Sequence, residues 1–145
     1  VQRINTECLE RFVKKLRDGL WVLKDKTLAV LGLAFKPNTD DVREAAALKI
    51  HSLLLQAGAR VRAFDPVAQE RVQGMNLDIT LCKDAYDAMQ GADALMLVTE
   101  WNEFRTLDLD RMKQALRQPV VVDCRNIYNR QRMEELGFRY DCFGA

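Results

Sequence analysis

At 145 residues, with 48% hydrophobic and 30% charged side chains, the chain has the length and balance of one globular domain that buries its own core. A formal charge of +1, from 22 basic against 21 acidic residues, excludes a nucleic-acid surface built on bulk positive charge but leaves room for a small basic pocket. No apolar run approaches the ~20 residues needed to span a bilayer, and no secretory signal opens the chain, so the expectation is a cytoplasmic protein with no membrane partner.

The first segment, Val1 to about Leu20, reads as a helix. Ile4, Cys8, Phe12 and Leu16 recur at intervals of four, and Val13 and Leu20 widen the stripe. Gly19 is a candidate stop. The chain opens inside this helical pattern without an initiator Met, which suggests excision from something longer. The period then changes. Leu28 to Leu31 is a short continuous apolar run, as expected of a strand buried on both faces. A polar loop runs from Gly32 to about Asp41. Asp41 with Glu44 resembles a helix-start capping box, and Ala45 to Ala57 continues as a helix closed by Gly58.

The alternation then repeats. Arg60 to Phe64 reads as a strand ending at Asp65-Pro66, and Ile79 to Leu81 as a weaker one. Asp84 to Gln90 is a short helix, and Ala94 to Val98 a buried strand. Asp108 to Leu116 is a helix, and Val120 to Asp123 another strong strand. Gln131 to Leu136 is a helix, and Phe138 to Cys142 a candidate edge strand. Strands alternating with helices call for right-handed crossovers and a sheet covered on both faces. The predicted fold is α/β: a Rossmann-like, doubly wound three-layer sandwich, with a mainly parallel sheet of five or six strands. It is preceded by an N-terminal connecting helix that lies outside the repeat.

Such sheets bind ligands at the carboxyl ends of their strands. There the sequence places Lys36 and Arg43 after the first strand, Asp65-Pro66 after the second, Thr99 to Asn102 after the fourth and Asp123 to Asn126 after the fifth. Lys36, Arg43 and Arg125 are the donors a phosphate site needs, and Arg adds bidentate geometry. An ordinary exposed lysine at Lys36, a local ion pair of Arg43 with Asp40 and Asp41, and an Arg125 that caps a loop explain the same residues without a ligand. The dinucleotide fingerprint is missing: Ala34 and Pro37 stand where its second and third glycines belong, and the loop is too long for that turn. Asp65 stands either as a ribose-binding carboxylate or as a plain Asp-Pro turn residue. His51, mid-helix and partnerless, reads as non-catalytic, and Trp101 as packing over the sheet edge. Cys8, Cys82, Cys124 and Cys142 form no CxxC pair and, with His51 the single histidine, give no zinc spacing; reduced thiols and no metal site follow. Arg125 beside Cys124 is a neighbour of the kind that lowers a thiol pKa, but no base accompanies it.

Four blocks carry a resemblance: LGLAFKPNTDDVRE (Leu31 to Glu44), AFDP (Ala63 to Pro66), GADALMLVTEWNEF (Gly91 to Phe104) and VVDCRNIY (Val121 to Tyr128). Their order and spacing resemble the C-terminal domain of the UDP-glucose and GDP-mannose dehydrogenase family. The opening helix looks like the tail of that family's central helix. The resemblance implies the division 1–24, end of the connecting helix, and 25–145, nucleotide-sugar-binding domain.

Family members oxidise the C6 alcohol of a nucleotide sugar to a carboxylate with two NAD⁺ in succession. Their NAD sits on an N-terminal Rossmann domain, and their catalytic Cys lies in a Gly-rich segment that nothing here resembles. The resemblance therefore implies a substrate-side domain with no catalytic residue, inactive alone. Its partners would be UDP-glucose or UDP-glucuronate, the absent domains and, through the central helices, a second copy of the full-length protein. By position, Phe35, Lys36 and Arg125 match substrate-contacting residues, and Arg43 matches an arginine that reaches NAD. Cys124 departs from the Gly common in relatives, which touches the pose of Arg125. The NTDD-x-R form with TEWNEF looks more like the branch that acts on UDP-glucose and supplies polysaccharide precursors. The GDP-mannose and UDP-N-acetylmannosamine branches remain alternatives, as does a non-catalytic nucleotide-binding module.

Overall fold

The structure is a computed structural model and describes residues 6–20, 22–33, 46–74, 78–99 and 101–142. In chain order the elements are α1 (Thr6–Leu20), β1 (Thr27–Leu31), α2 (Ala46–Gln56), β2 (Arg60–Phe64), α3 (Gln69–Gln73), β3 (Thr80–Leu81), α4 (Ala85–Met89), β4 (Ala94–Leu97), α5 (Asn102–Arg105), α6 (Leu109–Ala115), β5 (Val120–Asp123), α7 (Arg130–Glu135) and β6 (Arg139–Cys142). The strands form one six-stranded sheet in the order β3-β2-β1-β4-β5-β6. Every pairing is parallel. The continuous apolar runs explain the central positions: β4 and β5 are buried throughout, and Leu28 to Leu31 of β1 have no exposed surface.

The strand order reverses between β1 and β4. From β1 the chain steps outward to β2 and β3, then returns and steps the other way through β4, β5 and β6. Right-handed crossovers therefore place α2 on one face and α4, α6 and α7 on the other. Accordingly α2 packs on β2, and α4 packs on β1, β2 and α6. This leaves β5 and β6 without a crossover helix on the α2 face. Helix α1 fills that gap, packing on β5 and α2. Its Phe12, Val13, Leu16 and Leu20 join the core, and Lys15 Nζ lies 3.7 Å from Asp141 of β6. Full burial of a side chain such as Leu16 stabilises by about 1.5–3 kcal/mol.

Gly19, a candidate stop in the sequence, lies inside α1. A Cβ there would sit 3.0 Å from Val120 Cγ1 of β5, so glycine sets how closely the helix approaches the sheet. Helices α3 and α5 were not anticipated. Each is about one turn long, and the burial of Val72 and of Phe104 is too sparse to show a period. The weak third strand is reduced to Thr80–Leu81, and the last strand is the sheet edge beside β5. Asp84, Asp108 and Asn129 cap α4, α6 and α7 through their side chains. The expected Asp41/Glu44 capping box lies outside the described residues.

Candidate functional site

The carboxyl ends of β2, β1, β4 and β5 stand side by side, with the reversal of order between β1 and β4. In such sheets the point where the order reverses is where a ligand crevice opens. Its floor is tight. Gly32, at φ 103°, follows β1, and a Cβ on it would come within 2.5 Å of Thr99 Cβ and 2.6 Å of Thr99 N.

Two buried carboxylates bracket this crevice. Asp65, just past β2, is 2% exposed. Its Oδ2 accepts from Leu33 N at 2.8 Å and from Trp101 Nε1 at 3.1 Å; its Oδ1 accepts from Val67 N at 2.9 Å and Ala68 N at 2.8 Å. The turn reading of Asp65 prevails over the ribose reading, because donors of its own chain occupy both oxygens. It fastens the start of the β1 loop and the β4 loop to the end of β2. Trp101, buried over the edge, uses its N–H in the same clamp. Burial, then the charge of Asp65, raises the carboxyl pKa of Glu103 above the ordinary value.

Asp123, the last residue of β5, has no exposed surface. Its Oδ1 accepts from Arg125 N at 3.0 Å. Its Oδ2 accepts from Ile127 N at 2.8 Å, Tyr128 N at 3.1 Å and the Tyr140 hydroxyl at 2.6 Å. Asn126, at φ 57°, turns the chain so that these amides converge on one carboxylate. The sequence placed Asp123 at a strand end without giving it a role; a carboxylate terminating the apolar run Val120 to Val122 was the available signal. Tyr140 carried no local signal, being 17 residues away.

Of the sequence-predicted site residues, Arg125 is described. It is half-buried, and its Nε donates to Val98 O at 2.8 Å across the end of β4. Neither Nη group has a partner among the described residues, so the fork that suits phosphate or carboxylate is uncommitted. Phe35, Lys36 and Arg43 lie outside the described residues. Cys124 beside Arg125 is buried, and burial, reinforced by Asp123, pushes its thiol pKa far up, with Arg125 only partly opposing this, so the thiolate is disfavoured. His51 is 2% exposed, and neither ring nitrogen has a hydrogen-bond partner among the described residues; burial pulls its pKa down to about 4.

These residues do not fit a dinucleotide cradle. Leu33 N, which follows the first glycine after β1, is spent on Asp65, and the carboxylate at the ribose position is saturated.

A doubly wound parallel sheet, with an arginine fork at its switch-point edge and no dinucleotide cradle among the described residues, defines a Rossmann-like domain suited to an anionic ligand. A family model described as "UDP-glucose/GDP-mannose dehydrogenase family, UDP binding domain" matches residues 29–130, and the chain belongs to that family. It is 44% identical over 144 residues to a UDP-glucose 6-dehydrogenase of Pseudomonas aeruginosa, covering 95% of this chain and 31% of the relative. It is likewise 44% identical over 122 residues to one of Rhizobium meliloti, covering 84% of this chain and 28% of the relative. The chain thus spans less than a third of these relatives' length. Among solved structures, a UDP-glucose dehydrogenase of the archaeon Pyrobaculum islandicum superposes with a TM-score of 0.75 at 33% identity, over 93% of this chain and 29% of that one.

Proposed function

We propose that this chain is the UDP-sugar-binding domain of an NAD-dependent UDP-glucose 6-dehydrogenase, which oxidises UDP-glucose to UDP-glucuronate. The observation that carries the reading is the Arg125 fork at the switch-point edge, whose Nη groups have no partner among the described residues, in a chain 44% identical to UDP-glucose 6-dehydrogenases. Arg125 and Lys36 would supply charge and hydrogen bonds to substrate oxygens, with Phe35 beside them. Binding energy far from C6 would then serve to orient C6. Arg43 would reach NAD, itself held mainly by an N-terminal domain beyond this chain. Residues 1–24 would end a central connecting helix and 25–145 form the substrate domain. Alone, the domain would bind without catalysing. A homodimeric, cytoplasmic enzyme serving polysaccharide precursor synthesis completes the reading.

The test is an NMR titration of the domain with UDP and, separately, with GDP. UDP-selective shifts around Arg125, abolished by Arg125→Ala and weakened by Arg125→Lys, are expected, because lysine has no planar fork. GDP-selective shifts would transfer the domain to the GDP-mannose branch. Shifts with neither nucleotide would sink the reading of this edge as a self-sufficient nucleotide half-site.

A further inference from the structure

We infer that Tyr140, on the edge strand β6, is a positioning residue for Arg125, acting through Asp123; the inference rests on the reading of Arg125 as a UDP-sugar contact. Arg125 is held at two points. Its main-chain N is tied to Asp123 Oδ1 at the end of β5, and its Nε to Val98 O at the end of β4. With Nε committed to Val98 O, the guanidinium is anchored across the end of β4 and its swing is restricted. That geometry lasts only while the loop from Cys124 to Tyr128 keeps its shape.

The shape depends on Asp123. Three amides of one short loop converge on a carboxylate with no exposed surface and no cation within ion-pair distance among the described residues. Amides of the loop alone can rotate away as the loop relaxes. Tyr140 is the one described donor to Asp123 that comes from outside the loop. It reaches from a neighbouring strand, with a hydroxyl contact of 2.6 Å. The same hydroxyl oxygen lies 3.1 Å from Tyr128 O, so Tyr140 also touches the loop directly. The phenol is itself well seated. It is 3% exposed, Arg130 lies over its ring at 5.7 Å, and Arg130 Nη1 donates to Tyr140 O at 3.1 Å. Burial and the bond to Asp123 raise its pKa, so it keeps the proton it donates.

Removing only the hydroxyl leaves the ring packing but takes from Asp123 Oδ2 the one described donor that ties it to β6, so the carboxylate is held by the loop's own amides alone. Loop and carboxylate then shift together, and the Arg125 fork loses its bearing. The test compares the 145-residue wild type with Tyr140→Phe, Arg125→Ala and Leu16→Ala. UDP affinity is read by NMR titration, and hydrogen exchange is read at the Arg125 Nε–H, which needs no ligand. Tyr140→Phe should weaken UDP binding about fivefold, as expected when a binding group loses its preset orientation, and should speed exchange at Nε–H. Leu16→Ala, destabilised on the α1 side, should keep wild-type affinity and exchange at Nε–H. Wild-type affinity and a protected Nε–H in Tyr140→Phe would overturn the inference while leaving Arg125 as a ligand contact. Undiminished UDP binding in Arg125→Ala, or none in the wild type, would instead overturn the reading beneath it.

Discussion

Replacing Asp65 by Asn changes one atom group in the middle of the ligand edge. If the amide oxygen keeps Val67 N and Ala68 N, the NH₂ group faces Leu33 N and Trp101 Nε1. Two buried donors then lose their acceptor and meet a third donor. At about 1–3 kcal/mol for each stranded group, the expected loss is about 4 kcal/mol. For a domain of this size that corresponds to a fall in Tm of about 8–16 °C. Urea unfolding followed by circular dichroism gives the free energy, and Trp101 fluorescence reports the local release. A double-mutant cycle with Trp101→Phe should show coupling of at least about 1 kcal/mol, since the pair shares a hydrogen bond. The Glu103 carboxyl, raised by burial and by the charge of Asp65, should titrate at lower pH in the variant. A loss below about 1 kcal/mol with unchanged Trp101 emission would refute the clamp.

The buried imidazole of His51, with its pKa near 4 in the folded chain, makes stability depend on pH. The unfolded state binds the extra proton below about pH 6.5, so stability is whole above that value and falls as pH drops toward 4, by about 2 kcal/mol at about pH 5. His51→Leu should flatten this slope in urea midpoints measured across the range, and an unaltered slope would remove His51 as its source. Leu16→Ala should cost about 2–5 kcal/mol because α1 is structural cover for β5; a cost within error of zero would make the helix a mere appendage. The Cys124 thiol should resist a disulfide exchange reagent in the native chain and react once urea unfolds it, and rapid native labelling would contradict its burial.

Much of the sheet was legible because strands buried on both faces must be unbroken apolar runs, as Leu28 to Leu31 and Val120 to Val122 are. Elements carried by a single buried side chain were not: Val72 and Phe104 cannot display a period of 3.6. Gly19 marked the helix end to within one residue, but its closeness to Val120, about a hundred residues away in sequence, left no local trace. At the proposed site, residue chemistry at a strand end picked out Arg125 as a candidate. What holds it, the Val98 carbonyl and the Tyr140 hydroxyl, depends on register between strands and leaves no local trace. Asp65 was ambiguous for the same reason, since only the folded chain shows Leu33 and Trp101 filling its second oxygen.

The contact between Gly32 and Thr99 has a mechanical consequence. Where the two central strands end, the backbone has no room even for a methyl group, so the two strand ends cannot be pressed closer together. Such a base behaves as an anvil. A ligand of the proposed kind seated there would meet a surface that does not compress, and discrimination between ligands of different length would fall to the rim.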